Sequence, residues 1–481
     1  MTDVKKSALA FIESRQDEIL NISHRVWELA ELSLKEHKTA ELYVETLKKE
    51  GFEVEENLCD ISTAFSGKWG KGRPYIGILG EFDALSGLSQ KACCTEPQPL
   101  VKNGSGHGCG HNMLGAASFG AALGVKKYLE ETGTPGTVFF YGCPGEEGGA
   151  SKALMAREGV WKELDCAYCW HPGDTNEVTV GTCNSTVQYM YNFHGIASHA
   201  AGDPEHGRSA LDAVELMNVG VQFLREHMPT EARIHYSILN AGGPSPNVVQ
   251  PEASVLYMIR SPKVKDVLKL KERVDKIAEG AALMTETTLD RIFVDGCCTT
   301  NPNMVLGRVL YNNLCEIGVP EYTKAELEYA SALKATWEDY GEMPGIGSRH
   351  SAEYAKIAAG LSENGKKVIN NFVLPVYEGD HFSPGSTDVG DVSMLTPTAQ
   401  FDAVTWPSGS PGHSWQNVSC GASSIGDKGV MYAAKVLCAS AIDLFEDGSV
   451  IEEAKAEFKE SAAKEGYDCP VPQGAKLYVI E

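Results

Sequence analysis

Between Thr186 and Val294 the apolar pattern runs strand, helix, strand, strand, helix, strand: 186–193, 210–226, 232–238, 254–260, 264–281 and 288–294. Period-two stretches alternate with period-3.6 stretches in the order β-α-β-β-α-β, a split unit that closes by itself into a four-stranded sheet with two helices on one face. What precedes it has another rhythm. Helical spacing over 5–20 and 39–50, short apolar runs at Tyr75–Leu79 and Val138–Tyr141, and a small-residue helix over 114–129 predict a largely parallel sheet covered on both faces. After the split unit, helices at 304–317 and 428–445 return to that first pattern. The expected fold class is therefore α/β: a catalytic domain of residues 1–185 and 298–481, interrupted by a ferredoxin-like dimerisation or lid domain over 186–297. A chain of 481 residues supports this division, because single cores stop growing at about 250–300 residues. Residues 322–372 are charged and weakly periodic, an elaboration near the site or at a subunit contact, and the tail after Gly466 reads as surface coil.

The net charge of −23 opposes binding to nucleic acid or to an anionic membrane, since either partner calls for a basic patch. It also means that an anionic substrate must be met by individual cations inside a cleft. The first twenty residues carry charges throughout and hold no apolar run long enough for a signal peptide or a span, so a cytoplasmic location is expected. The 14 cysteines lack framework spacing and read as reduced thiols.

Four short segments combine metal-ligand side chains with strand ends. In Gly106-His107-Gly108-Cys109-Gly110-His111, glycines permit tight turning, and Cys109 and His111 can point to one side. In Gly145-Glu146-Glu147-Gly148, directly after a buried strand, one carboxylate can hold a metal while the other serves as general base. A third segment, Cys166–His171, ends an apolar strand in a histidine, and a fourth, Gly409–His413, presents another from a loop. Alone, each has an ordinary reading: a helix entry, a solvated acidic turn, a satisfied histidine. Cys166 and Cys169 form a CxxC, but three residues apart on a strand they point to opposite faces. Asp83, after the strand at Tyr75–Leu79, is placed to orient a metal-bound histidine. Glu81 is open between ligand, acceptor and solvated residue.

Taken in order, these segments resemble the metallopeptidase and amidohydrolase family that includes carboxypeptidase G, succinyl-diaminopimelate desuccinylase, hippurate hydrolase and the auxin-conjugate hydrolases. The HGCGHN segment is similar to the HACGHD form of the hippurate and auxin-conjugate branch, and GILGEFDALSGLSQ, YGCPGEEGG, GRSALDAV and STDVGDVS extend the likeness over nearly the whole chain. The resemblance implies Cys109, His111, Glu147, His171 and His413 as ligands of one or two divalent ions, manganese or zinc, with Glu146 as the base. It implies that His199, in Gly195–Ala200, stabilises the oxyanion in a partner subunit's site, and that Asn247 and Arg260 hold the substrate's carboxylate or carbonyl. The implied activity is hydrolysis of p-aminobenzoyl-glutamate or a similar N-aromatic-acyl amino acid by a dimer, in the best-matching branch a heterodimer with a related A subunit. A dipeptidase or general aminoacylase, or a non-catalytic subunit, are the competing readings. One departure stands out: many members have histidine where this chain has Glu81.

Overall fold

Tyr75–Glu81 is buried on both faces along nearly its whole length, as expected of a central strand with no polar alternation. In this computed structural model, which describes residues 1–338, 351–379 and 381–479, it is β3 of a seven-stranded sheet. The other members are β1 (Glu53–Glu56), β2 (Phe65–Lys71), β4 (Gly136–Cys143), β5 (Cys166–Gly173), β6 (Glu177–Val178) and β11 (Thr398–Val404), in the order β1-β2-β4-β3-β5-β11-β6. The four central strands run parallel, whereas β1, β2 and β6 pair antiparallel at the flanks. Successive residues of β4 face opposite ways: Phe140 packs on Phe119 of the helix His111–Thr132, and Tyr141 on Trp161 beyond the helix Ser151–Glu158. Both faces are thus covered.

The small-residue helix is buried from His111 through Val125 because it lies between the sheet and the helices Asp3–Ser14 and Ser424–Glu446. A Cβ on Gly115 would stand 2.5 Å from the Tyr43 hydroxyl and 2.8 Å from the Glu81 carbonyl oxygen, so the close approach requires glycine. Ser118 Oγ donates to the Leu79 carbonyl (2.7 Å) and Trp170 Nε1 to the Leu114 carbonyl (3.0 Å), fixing the helix along β3 and β5.

These elements, with residues 300–383 and 392–467, form one compact unit. The other unit comprises Cys183–Thr299, Pro384–Asp391 and Asp468–Glu481. Its strands β7 (Ser185–His194), β8 (Arg233–Asn240), β9 (Glu252–Ser261) and β10 (Thr288–Cys297) make an all-antiparallel sheet in the order β10-β7-β9-β8. Burial alternates strictly along most of β9, and the inward residues Val255, Tyr257 and Ile259 meet the helices Ala210–Arg225 and Val264–Thr285. Ser209 caps the first of these, accepting from the Asp212 N–H (3.1 Å).

Several local expectations differ from the outcome. The helical spacing over 5–20 is two helices, Asp3–Ser14 and Gln16–Leu29, meeting at a non-helical Arg15 (φ −103°, ψ 12°). The described part of 322–372 holds the helices Lys324–Lys334 and Ala352–Leu361, the former opened by a Thr323–Glu326 capping box; residues 339–350 lie outside the described residues. The tail is coil after Gly466, but not all surface, since Val471 is 2 % exposed; residues 480 and 481 lie outside the described residues.

Candidate metal centre

The C-terminal ends of parallel strands are where open α/β sheets bind ligands, and β3, β4 and β5 deliver Glu81 and Asp83, the Gly145–Gly149 turn, and His171 to that edge. His111 opens the buried helix, preceded by Gly110 at φ +80°, where a Cβ would also crowd Met113 and Pro172 at 2.8–3.0 Å. His413 arrives from a loop in the left-handed region (φ 49°), its Cα 3.3 Å from where a Cβ on Gly108 would lie. The glycines of the first segment let two loops touch.

Cys109, His111 and His171 offer ligand atoms within 4.8 Å of one another, as do Cys109, Glu147 and His413; the thiol belongs to both triads. Cys109 Sγ is 3.4 Å from His171 Nε2, and His413 Nε2 is 3.4 Å from Glu147 Oε1. His171 Nδ1 is 2.7 Å from the Pro172 carbonyl and donates to it, which leaves the Nε2 lone pair facing the Cys109 thiol. All five sequence candidates for ligands converge. His107, from the same segment, does not join them: it is buried against the Val26 carbonyl (Nε2 to O, 3.0 Å).

Asp83 is the hub beneath these side chains. It accepts from Ser33 Oγ (2.7 Å) and the Glu147 N–H (2.9 Å), and lies 2.9 Å from His111 Nδ1. Burial alone would raise its carboxyl, but the His111 partner and the other two donors hold it well below the usual range. The proton on His111 is thereby fixed at Nδ1 and Nε2 is turned inward. That Nε2 and Glu147 Oε1 are buried with no hydrogen-bond partner among the described residues. Orphaned acceptors are costly in a protein interior, and two of them beside a thiol and two further imidazoles make a donor set that fits a divalent cation. Burial pushes the Cys109 thiol and the Glu147 carboxyl up, shifts that a cation would offset, and the His171 imidazole down to about 4, which keeps it neutral as a metal ligand must be.

Glu146 stands beside Glu147, with an atom within 4.8 Å of Glu81 and His111 ligand atoms. Two participants are not legible in the sequence. Lys152 is fully buried with Nζ 2.8 Å from Glu81 Oε1, and Glu36, also buried, accepts the Gly145 N–H (2.9 Å) and thereby braces the turn that carries Glu146 and Glu147. Burial, with Asp83 nearby, lifts the Glu36 carboxyl to about 8. Lys152 lies in a helix and Glu36 immediately before one, and which way each faces only the fold reveals.

His199, Asn247 and Arg260 belong to the other unit. His199 is exposed and its Nδ1 accepts from the N–H groups of Ala201 (3.2 Å) and Gly202 (3.0 Å), so its ring donor is Nε2. The Ala200 N–H donates to the Asn247 carbonyl (3.0 Å) and the Val249 N–H to that of Ser198 (3.0 Å), joining the two loops. Arg260, half-buried near the end of β9, makes no ion pair among the described residues; its Nε lies 2.9 Å from Met258 Sδ.

Comparison with known proteins yields one family model, peptidase family M20/M25/M40, over residues 78–434. The chain is 43 % identical over 474 residues to one of the subunits of p-aminobenzoyl-glutamate hydrolase from Escherichia coli K12, covering 96 % of each sequence. It is 25 % identical over 480 residues to the Xaa-Arg dipeptidase of Mus musculus, covering 95 % of this chain and 92 % of that one. Among solved structures, a dinuclear metal-binding peptidase of Bacillus subtilis superposes with a TM-score of 0.54 at 17 % identity, covering 90 % of this chain and 99 % of that one, a likeness of fold.

Proposed function

The chain belongs to peptidase family M20/M25/M40, and from that premise we propose that it hydrolyses p-aminobenzoyl-glutamate, or a similar N-aromatic-acyl amino acid, to the aromatic acid and the free amino acid. The observation that carries the reading is the pair of orphaned buried atoms, His111 Nε2 and Glu147 Oε1, within triads completed by Cys109, His171 and His413. These five side chains would hold one or two divalent ions. The thiol suits zinc, the imidazoles and carboxylate suit manganese as well, and the sharing of Cys109 between two triads favours two ions. Such an ion supplies Lewis acidity and lowers the pKa of bound water toward neutrality.

Glu146 takes the proton of the attacking water and returns it to the departing amine nitrogen. Asp83 holds His111 in the tautomer that leaves Nε2 available. His199 donates from Nε2 to the developing oxyanion, acting on the site of a second copy or a related A subunit. Asn247 and Arg260 grip the substrate carboxylate, for which a guanidinium offers paired donors.

The 186–297 segment acts as a dimerisation and lid domain. Supporting this, β8 is an edge strand with Tyr236, Ile238 and Leu239 exposed, and the helix Ala210–Arg225 exposes Leu216, Val219 and Phe223. The E. coli relative is one subunit of its hydrolase, which supports a heteromeric partner here. We place the enzyme in the cytoplasm; among the described residues no helix is long and apolar enough to cross a membrane.

Glutamate release from p-aminobenzoyl-glutamate by the purified chain with Mn(II) or Zn(II) tests the proposal. Turnover alone or after adding an A subunit supports it, whereas absence of bound metal in the folded chain overturns it. Because of the mouse relative, an Xaa-Arg dipeptide should be assayed in parallel, and preference for it would favour the dipeptidase reading.

A further inference from the structure

Lys152, the second residue of the helix Ser151–Glu158, has a side chain with no exposed surface. An ammonium is hydrated strongly enough that burial requires an anionic partner, and Glu81 Oε1 is 2.8 Å from Nζ. Glu81 is itself 2 % exposed, and its second oxygen faces elsewhere: Oε2 is 3.4 Å from His111 Nε2, the orphaned atom of the proposed metal centre. Glu81 therefore has two ends. One is occupied by an internal cation and the other looks onto the position where a divalent cation would be held.

Charges so close in a low-dielectric interior are felt by the ion. The carboxylate of Glu81 attracts a cation at His111 Nε2, and the ammonium one carboxylate further off repels it. As a pair they nearly cancel, and singly they do not. The ammonium also fixes which oxygen of Glu81 faces the histidine, since Oε1 is engaged at hydrogen-bond distance.

We propose that Lys152 is a positioning residue and a built-in counter-charge: by engaging Glu81 it sets the cation affinity of the centre below what the buried carboxylates alone would give. The inference rests on the metal-centre reading above and adds to it a determinant outside the five ligands. It assigns Glu81 to the electrostatic wall of the centre.

The test is equilibrium binding of Mn(II) alone to the full chain, by competition with a chromophoric chelator, for wild type, Glu81→Gln, Lys152→Met and the double variant. Glu81→Gln should loosen Mn(II) by about tenfold or more, Lys152→Met should tighten it by about tenfold or more, and the double variant should return to within about threefold of wild type. A structural ion pair that only shapes the pocket would loosen binding in both single variants, and that result overturns the proposal, as do unchanged affinities. If Lys152→Met fails to fold, Lys152→Gln takes its place with the same expected tightening, and a Glu81→Gln affinity within twofold of wild type also refutes the counter-charge. Wild type that binds no Mn(II) overturns the metal-centre reading and this inference with it, whereas binding that is indifferent to the substitutions overturns this inference alone.

Discussion

Replacing Asp83 with asparagine changes one oxygen into an amide nitrogen, yet the surroundings leave that nitrogen nowhere to point. Three donors converge on the carboxylate: Ser33 Oγ at 2.7 Å, the Glu147 N–H at 2.9 Å and His111 Nδ1 at 2.9 Å. The serine hydroxyl can rotate and become an acceptor, but the Glu147 N–H cannot. If the amide oxygen faces His111, the amide nitrogen opposes the Glu147 N–H, and the turn bearing Glu146 and Glu147 shifts. If the amide is flipped, His111 must accept at Nδ1 and carry its proton on Nε2, where it blocks a ligand lone pair. Either way one charge-assisted hydrogen bond is lost. Substitutions of this kind behind metal ligands cost about 10- to 100-fold in affinity, or about 1.4–2.8 kcal/mol. Mn(II) or Zn(II) titration against a competing chelator, with intact fold checked by circular dichroism, measures it. Asp83→Asn protein that binds metal within twofold of wild type would refute the tautomer argument.

Glu146→Ala should lower kcat by about 10²- to 10⁴-fold while bound metal, read by elemental analysis, is retained; surviving turnover would remove Glu146 from its role as base. His199→Ala should lower kcat by about 10²- to 10³-fold without loss of metal, and mixing it with Glu146→Ala protein should recover activity if the histidine acts between subunits. Burial lifts Glu177 from an ordinary value of about 4.5 to about 7, so the folded state binds this proton more tightly than the unfolded state. Its contribution is present in full below pH 4.5 and disappears as pH rises through 7, a change on the order of 3 kcal/mol. Glu177→Gln, which cannot ionise, should therefore gain on wild type in urea denaturation between pH 5 and pH 8; a constant gap would contradict this.

Segments whose local pattern and global role coincide are readable from sequence. β3, β7, β9 and the small-residue helix announce themselves by apolar period, and the ligands lie on strand and helix ends, where glycine-rich punctuation marks them. β11 escapes such a reading, although it occupies the sheet between β5 and β6, because Thr398–Val404 mixes Gln400 and Asp402 into a short run. The break at Arg15 leaves the apolar spacing intact and so is invisible to periodicity. Lys152 and Glu36 stay hidden for a related reason: a charged residue in an amphipathic stretch reads as solvated until the fold shows it facing another buried charge or a backbone N–H. Asp83 is legible because its spacing from a strand end suggests a role.

The unit built around β7–β10 is assembled from three separate stretches of chain. Asp391 accepts the Cys298 N–H (2.8 Å), Asn184 donates to the Pro384 carbonyl (2.8 Å), and Pro470 packs against Gly296. Cutting the gene at codons 186 and 297 would therefore yield a fragment missing part of its own lining, without Val471 or the Asp391 contact. The same connectivity orders events on the ribosome: the four strands can pair early, but the unit is completed only when residues 468–479 have been made, after more than 150 further residues of the other unit have left the ribosome.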